Sequence, residues 1–483
     1  MDFLVWAGGC STLVGPEMDM SAINCDELHR TVKAVLDADD ARDIADARRI
    51  VEGFVLQIHV GSGIAGDMTA QAALLTAVNA GHRAMLGGVR VVIDEDPLLS
   101  LPWVREQNLA TAVRAFGGTV VDRLEPDRPV LLVCSPLAGH VERRQVQLNL
   151  VWNGWSGGVT DSAIGPRCVS SMPLAGVIAG ALGVSEMFQN LRGWPTAGRR
   201  SVGLSLWRPD LDWCSPDAVG PTVRFAPDRL WLLGLGHLGQ ANAWNLGCLP
   251  YERPGELEVF LVDFDQIVEA NWSTGLLTEQ SDVSRFKTRV VSRRLESLGH
   301  RTRLVERRFD DCTVPYASEP KVALAGFDVP GPRRALGNKF CRVVDAGLGA
   351  GPTDYLDMLV HSFPSKLDPA SVFADGPASE RRLAAAYETE IKRRVASGES
   401  EGDARCGVID LAGATAAASF VGAIAGALSV ADLLRILHEG QHYATINLDL
   451  RSPNNMLTAF AKGVDQPINP GYTTIRELAL PIG

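Results

Sequence analysis

The chain has 483 residues, 46% hydrophobic and 21% charged, with a formal net charge of −11 and a pI near 5.4. That balance suits a globular protein of about two or three domains with a sizeable core. It offers no basic face for nucleic acid or an anionic membrane, and no apolar stretch is expected to approach the ~20 residues of a spanning helix. The N-terminus, MDFLVWAGGCSTLVGPEMDM, starts apolar but has no basic region, so no signal peptide and a cytoplasmic location are expected. Nine cysteines without any C-x-x-C leave neither a zinc motif nor a disulfide framework.

Residues 26–50 have helical periodicity and charge, and lead into LQIHVGSGIAG. There an apolar strand runs into a Gly-rich turn with Gly61, Gly63 and Gly66. RVVIDEDP supplies a second strand ending at Asp94 and Asp96, and RPVLLVCSP a third. An apolar helix follows at 175–191, and 201–228, rich in Gly, Pro, Arg and Trp, reads as a linker. The order then repeats. RLWLLGLGHLGQ carries Gly234, Gly236 and Gly239, and LEVFLVDFD ends at Asp263 and Asp265. KVALAGFD ends at Asp328, with Arg333 beyond it. A polar insert over 362–405 precedes Cys406, and 421–437 matches 175–191 at eight of seventeen positions without a gap. From 440 a last strand and a loose tail are expected. Four elements repeating in one order indicate a duplication. The predicted fold is α/β: two Rossmann-like halves, 1–200 and 229–483, with mostly parallel sheets. The Gly-x-Gly-x-x-Gly turn admits close approach of a nucleotide, and an acid at the next strand end suits a ribose.

The run VDFDQIVEANWSTGLLTEQSDVSRFKTRVV resembles the core of the ThiF/MoeB family and the ubiquitin-activating enzymes. The resemblance implies that Asp263 binds ribose hydroxyls, that Asp265 and Asn271 line an adenylate pocket, and that Lys287 sits against phosphates. It makes Asp328 the Mg2+ ligand, Arg333 the helix Arg after it, and Cys406 a thioester-forming nucleophile in the crossover segment. A neighbouring cation, Arg405, and a helix N-terminus would favour its thiolate. One departure stands out: where the family has Asn-x-x-Arg-Gln, this chain has Thr274 and Gly275. Arg285, Arg48 and Arg49 are candidates for the missing cation. The first half lacks counterparts of Asn271, Lys287 and Asp328, which implies an inactive adenylation half fused to an active one, an intramolecular pseudo-dimer, with homodimerisation left open. The implied activity is ATP- and Mg2+-dependent adenylation of a ubiquitin-like protein's C-terminal carboxylate, then thioester formation and transfer to a conjugating enzyme. Within the family, the chain looks most like bacterial proteins of ubiquitin-like conjugation operons associated with antiphage defence. A partner-binding scaffold without turnover, and adenylation without a thioester, stay open; a nicotinamide dehydrogenase would leave Asn271, Lys287 and Asp328 unexplained.

Overall fold

Each Gly-rich turn follows the third strand from one edge of its own sheet. A computed structural model describes residues 23–135, 146–161, 172–337, 339–349, 354–374, 384–461 and 468–478. The N-terminal twenty residues and the middle of the insert therefore lie outside the described residues. The first half contains α1 (Arg30–Asp37), α2 (Ile44–Glu52), β1 (Leu56–Val60), α3 (Met68–Ala84), β2 (Val89–Ile93), α4 (Leu109–Ala115), β3 (Gly118–Val120), β4 (Val130–Val133), β5 (Gln147–Asn153), β6 (Ser156–Thr160), α5 (Pro173–Leu191) and β7 (Val202–Ser205). After a short β8 (Phe225–Ala226) the second half runs β9 (Arg229–Leu233), α6 (His237–Cys248), β10 (Glu258–Val262), α7 (Glu269–Trp272), α8 (Lys287–Ser297), β11 (Arg301–Val305) and β12 (Val322–Ala325). It continues with α9 (Pro330–Arg334), β13 (Arg342–Leu348), β14 (Asp357–Phe363), α10 (Pro369–Val372), α11 (Ala385–Ala396), α12 (Glu401–Gly413), α13 (Ser419–Leu437), β15 (Tyr443–Asp449), β16 (Leu457–Phe460) and β17 (Thr473–Thr474).

The strand orders superpose. One sheet reads β3-β2-β1-β4-β5-β6-β7, and the other β11-β10-β9-β12-β13-β14-β15 with β16 added at the edge. The first five strands of each are parallel, and the rest run antiparallel. The runs VLLV, EVFLV and VALA are buried throughout, as parallel strands covered on both faces require. Two boundaries differ from expectation. The stretch read as a linker begins with β7, because Gly203 lets the Trp213 ring lie against that strand, 2.3 Å from where a Cβ would stand. The tail is tied down as well: β17 pairs with β8, and Ile475 bridges to Tyr251.

The duplicated helix explains how the halves join. A Cβ on Gly176 or Gly180 of α5 would stand 2.0 or 2.2 Å from the Thr69 or Ala73 carbonyl oxygen of α3. In the second copy, a Cβ on Gly426 of α13 would stand 2.7 Å from the Ala241 backbone of α6. Small residues at these places let each helix pair approach to backbone contact. α13 also packs on α3 and α5, so one apolar core runs through both halves. Contrary to expectation, α5 and α13 are each 19 residues long and apolar enough to cross a membrane by length and composition. The most apolar window of each is 89% buried inside the protein, which accounts for the composition.

Burial also makes the fold acid-sensitive. Loss of water holds His82, His237, His300 and His361 neutral, down to about 4, and His29 down to about 3. The unfolded chain binds those protons from about pH 6.5 downward. Stability present above pH 6.5 is therefore lost as pH falls towards 4. Asp345, pushed up to about 6 by burial, acts in the opposite sense over its own window, as do Asp228, Asp263 and Asp357, which burial also raises, while His438 and His442 add to the histidine effect. The melting temperature is expected to fall steeply from pH 6.5 to 4 and to be flat from 7 to 8.

Candidate active site

Strand order reverses between β9 and β12, and a crevice opens there at the strand ends. It holds a cavity of about 570 Å³ lined by Gly234, Gly236, Asp263, Asp265, Asn271, Lys287 and Asp328. The sequence motif is thus gathered into one place. Gly234 has φ +79°, and a Cβ on Gly239 would stand 1.9 Å from the Gly234 carbonyl oxygen, so the turn closes tightly against α6. A Cβ on Gly236 would meet nothing within 4 Å, because that glycine faces the open cavity. Asp263 is buried and accepts the backbone N–H groups of Leu235 and Asp265 at 2.6 and 2.8 Å. Burial raises its pKa, and nearby Lys287 opposes that rise. Lys287 begins α8 and donates to Asp265 Oδ2 at 2.9 Å. Asn271 Oδ1 accepts the Val268 N–H at 3.0 Å, which fixes the side chain at the cavity wall. Asp328 is exposed, and no hydrogen bond or ion pair engages it among the described residues. Arg333 is clamped on buried Asp345 at 2.5 Å and lies 4.0 Å over the Phe373 ring.

None of the three cations named as candidates reaches the cavity, and a different one does. Arg48 pairs with Glu52, Arg49 with Asp46 and Arg285 with Asp282, and none of the three lines the cavity. Arg30 does, from the first turn of α1 in the first half. Its backbone N–H donates to Ser273 Oγ at 3.2 Å, immediately beside Thr274. Its Nη1 is buried with no hydrogen-bond partner among the described residues, and burial lowers its pKa. Arg30 therefore brings to the cavity a guanidinium with an unused donor, which suits an anion. Sequence reasoning missed Arg30; the charged helix preceding the first Gly-rich strand was the available signal.

The loop after Asn271 is held by the first half as well. Arg83 of α3 is buried, with its pKa lowered to about 10 by loss of solvent, and donates to the carbonyls of Trp272 and Thr278 at 2.8 and 2.7 Å. Asn79 donates to the Leu276 carbonyl at 3.0 Å. At Gly275, where the family has Gln, the room is taken by Gln240, which accepts the Leu277 N–H at 3.0 Å. Arg83→Met is expected to cost about 3 kcal/mol, since it strands several buried carbonyls. Urea denaturation would show the loss, and the loosened loop should also weaken nucleotide affinity.

Cys406 is placed differently from expectation. It is exposed and lies in the sixth position of α12, which Ser400 caps by accepting the Asp403 N–H. The free N–H groups of a helix belong to its first turn, so no helix N-terminus acts on this thiol. Cys406 does not line the cavity; Thr415, Ala416 and Ala417, between α12 and α13, do.

The equivalent crevice of the first half is occupied by its own side chains. His59 stands where the second half has Leu232, its Nε2 2.8 Å from Asp94 Oδ1 and its Nδ1 3.0 Å from Ser135 Oγ. Asp96 accepts the Ala110 N–H at 2.7 Å at the start of α4. Both strand-end acids are thereby engaged. Among the described residues no cluster of three or more metal-ligating side chains occurs.

Two fused Rossmann-like halves, the second holding a polar cavity also lined by Arg30 of the first, define an E1-like architecture. The chain belongs to the BilD family: residues 55–206 match the BilD N-terminal domain and 226–440 the BilD C-terminal domain. It is 39% identical over 425 residues to the "Bacterial E1-like protein BilD" of Collimonas sp. (strain OK412), covering 87% of this chain and 90% of that one. Among solved structures it is similar to E. coli MccB, at 14% identity and a TM-score of 0.34, over 68% of this chain and 96% of that one. The structure of E. coli MccB with ATP gives 13%, 0.32, 65% and 95%.

Proposed function

We propose that the second half adenylates the C-terminal carboxylate of a ubiquitin-like protein with ATP, and that Arg30 of the first half completes its active site. The observation that carries this reading is Arg30 of the first half, which lines the same cavity as the Gly-rich turn and whose Nη1 has no hydrogen-bond partner among the described residues. The chain's groups fit a nucleotide. The glycine turn admits phosphates, Asp263 faces a ribose, Asn271 lines the pocket, and Lys287 can exchange its exposed partner Asp265 for phosphate oxygens. They also fit Mg2+, which takes one or two carboxylates and completes its shell with water and phosphate. Asp328, without another partner, is the residue to hold it. Bound there, the ion would neutralise charge on the phosphates.

A carboxylate oxygen of the substrate attacks the α-phosphorus, pyrophosphate leaves, and an acyl adenylate forms. The protein positions both partners; Arg30 and Lys287 stabilise negative charge that grows on the phosphate oxygens. In the second step the Cys406 thiolate attacks the acyl carbon, releasing AMP, and the thioester passes to a conjugating enzyme. We take the chain to act in the cytoplasm, where ATP is at hand. The place of Cys406, in mid-helix and outside the cavity, favours a second reading: adenylation alone, with that thiol inert. A non-reducing gel with ATP, Mg2+ and a ubiquitin-like partner separates the two. A thiol-sensitive adduct that disappears in Cys406→Ala supports the full sequence. Pyrophosphate exchange without any adduct limits the function to adenylation.

A further inference from the structure

Two arginines of the cavity have no part in that reaction. Arg307 and Arg308 follow β11, line the cavity and are exposed, and neither is in an ion pair among the described residues. The Arg308 guanidinium carbon lies 4.7 Å from the centroid of the Phe264 ring. Phe264 stands between Asp263 and Asp265 and is 45% exposed, although every residue of β10 before it is buried. The rings of Phe309 and Phe327, which also line the cavity, stack at 5.6 Å and give it an aromatic wall. Arg30, Lys287 and Asn271 line the cavity as well.

The strand order decides which part of a nucleotide reaches Phe264. Across the sheet, β12 and β9 bring Asp328 and the glycine turn, β10 brings Asp263, and β11 brings Arg308. With phosphates at the turn and the ribose on Asp263, the base extends towards β11. We propose that Phe264 and Arg308 form the platform on which the purine stacks, so that Arg308 contacts the base and not the phosphates. This rests on the ATP reading above. A planar guanidinium and an aromatic ring both present a flat face to a purine, and here the two lie within contact of each other. The absence of an acidic partner leaves the Arg308 head free to lie over a ring. It also explains a large aromatic left open to water beside the ribose-facing acid.

The test compares ATP, ADP and AMP as competitors of a fluorescent ATP analogue on the full chain. Arg308→Ala and Phe264→Ala are each expected to weaken all three ligands by the same factor, about tenfold. Phe264→Tyr keeps the ring and should bind like the wild type, while Arg30→Ala should weaken ATP far more than AMP. Phe264 and Arg308 are exposed, and circular dichroism should show both alanine variants folded. A loss in Arg308→Ala that grows with the number of phosphates would make it a phosphate ligand and overturn the platform alone. Unchanged affinity in both alanine variants would overturn it too. A wild-type protein that binds none of the three would overturn the platform together with the ATP reading.

Discussion

Arg30→Ala is expected to lower ATP–pyrophosphate exchange by about a hundredfold or more while the melting temperature stays at or above the wild-type value. The two effects separate because of how this residue is buried. Its backbone N–H bond to Ser273 survives the substitution, so α1 stays anchored on the loop after Asn271. What disappears is a guanidinium whose Nη1 has no partner among the described residues, and which burial has already made harder to charge. An unpaired buried cation costs stability, so deleting it should not harm the fold. If the group faces developing charge on a phosphate, its loss is felt in the rate. Arg30→Lys should restore only part of the rate, because an ammonium lacks the planar fork. A parallel loss of rate and melting temperature would instead make Arg30 a structural residue.

Asp432→Ala should give the largest loss of stability. Asp432, inside the duplicated helix α13, accepts Arg342 Nε and Nη2, both at 2.7 Å, and Arg435 Nη2 at 3.1 Å. All three side chains are almost wholly buried. The two guanidinium groups hold its pKa below the ordinary carboxylate value against the opposing effect of burial. Removing the acid strands two buried cations, a change that costs about 3–5 kcal/mol. Urea denaturation should show it directly. Replacing Arg342 by Met in the same chain should recover part of the loss, since an apolar side chain there needs no counter-ion.

The contrast between Lys287 and Arg30 shows what the sequence could and could not reveal. Asp263, Asp265, Asn271 and Lys287 lie within one continuous run, the run whose resemblance to the ThiF/MoeB family implied that they meet, and the cavity gathers them with Asp328. Arg30 reaches Ser273 across 243 positions, and only the packing of α3 and α5 on α13 brings it there. No local pattern carries that information. The duplicated helix was legible as a repeat, yet the reason for it, glycines that allow backbone contact, required the partner helices. Cys406 was a different failure. The run GESEGDARCG looks irregular because of its glycines, but Ser400 followed by Asp403 is a helix-start signature that could have been read. β7 escaped because Gly203 breaks the apolar pattern, and the ring of Trp213 that needs that glycine lies outside the strand.

Partner-dependent ATP–pyrophosphate exchange tests the central claim most directly. The purified chain, given Mg2+, labelled pyrophosphate, ATP and a ubiquitin-like protein, is expected to form labelled ATP only when the partner's C-terminal carboxylate is intact. Exchange should be lost in Asp328→Ala, which removes the one acid of the cavity that has no other partner among the described residues. Exchange that persists at the wild-type rate in Asp328→Ala, or that ignores the partner's C-terminus, would contradict the account.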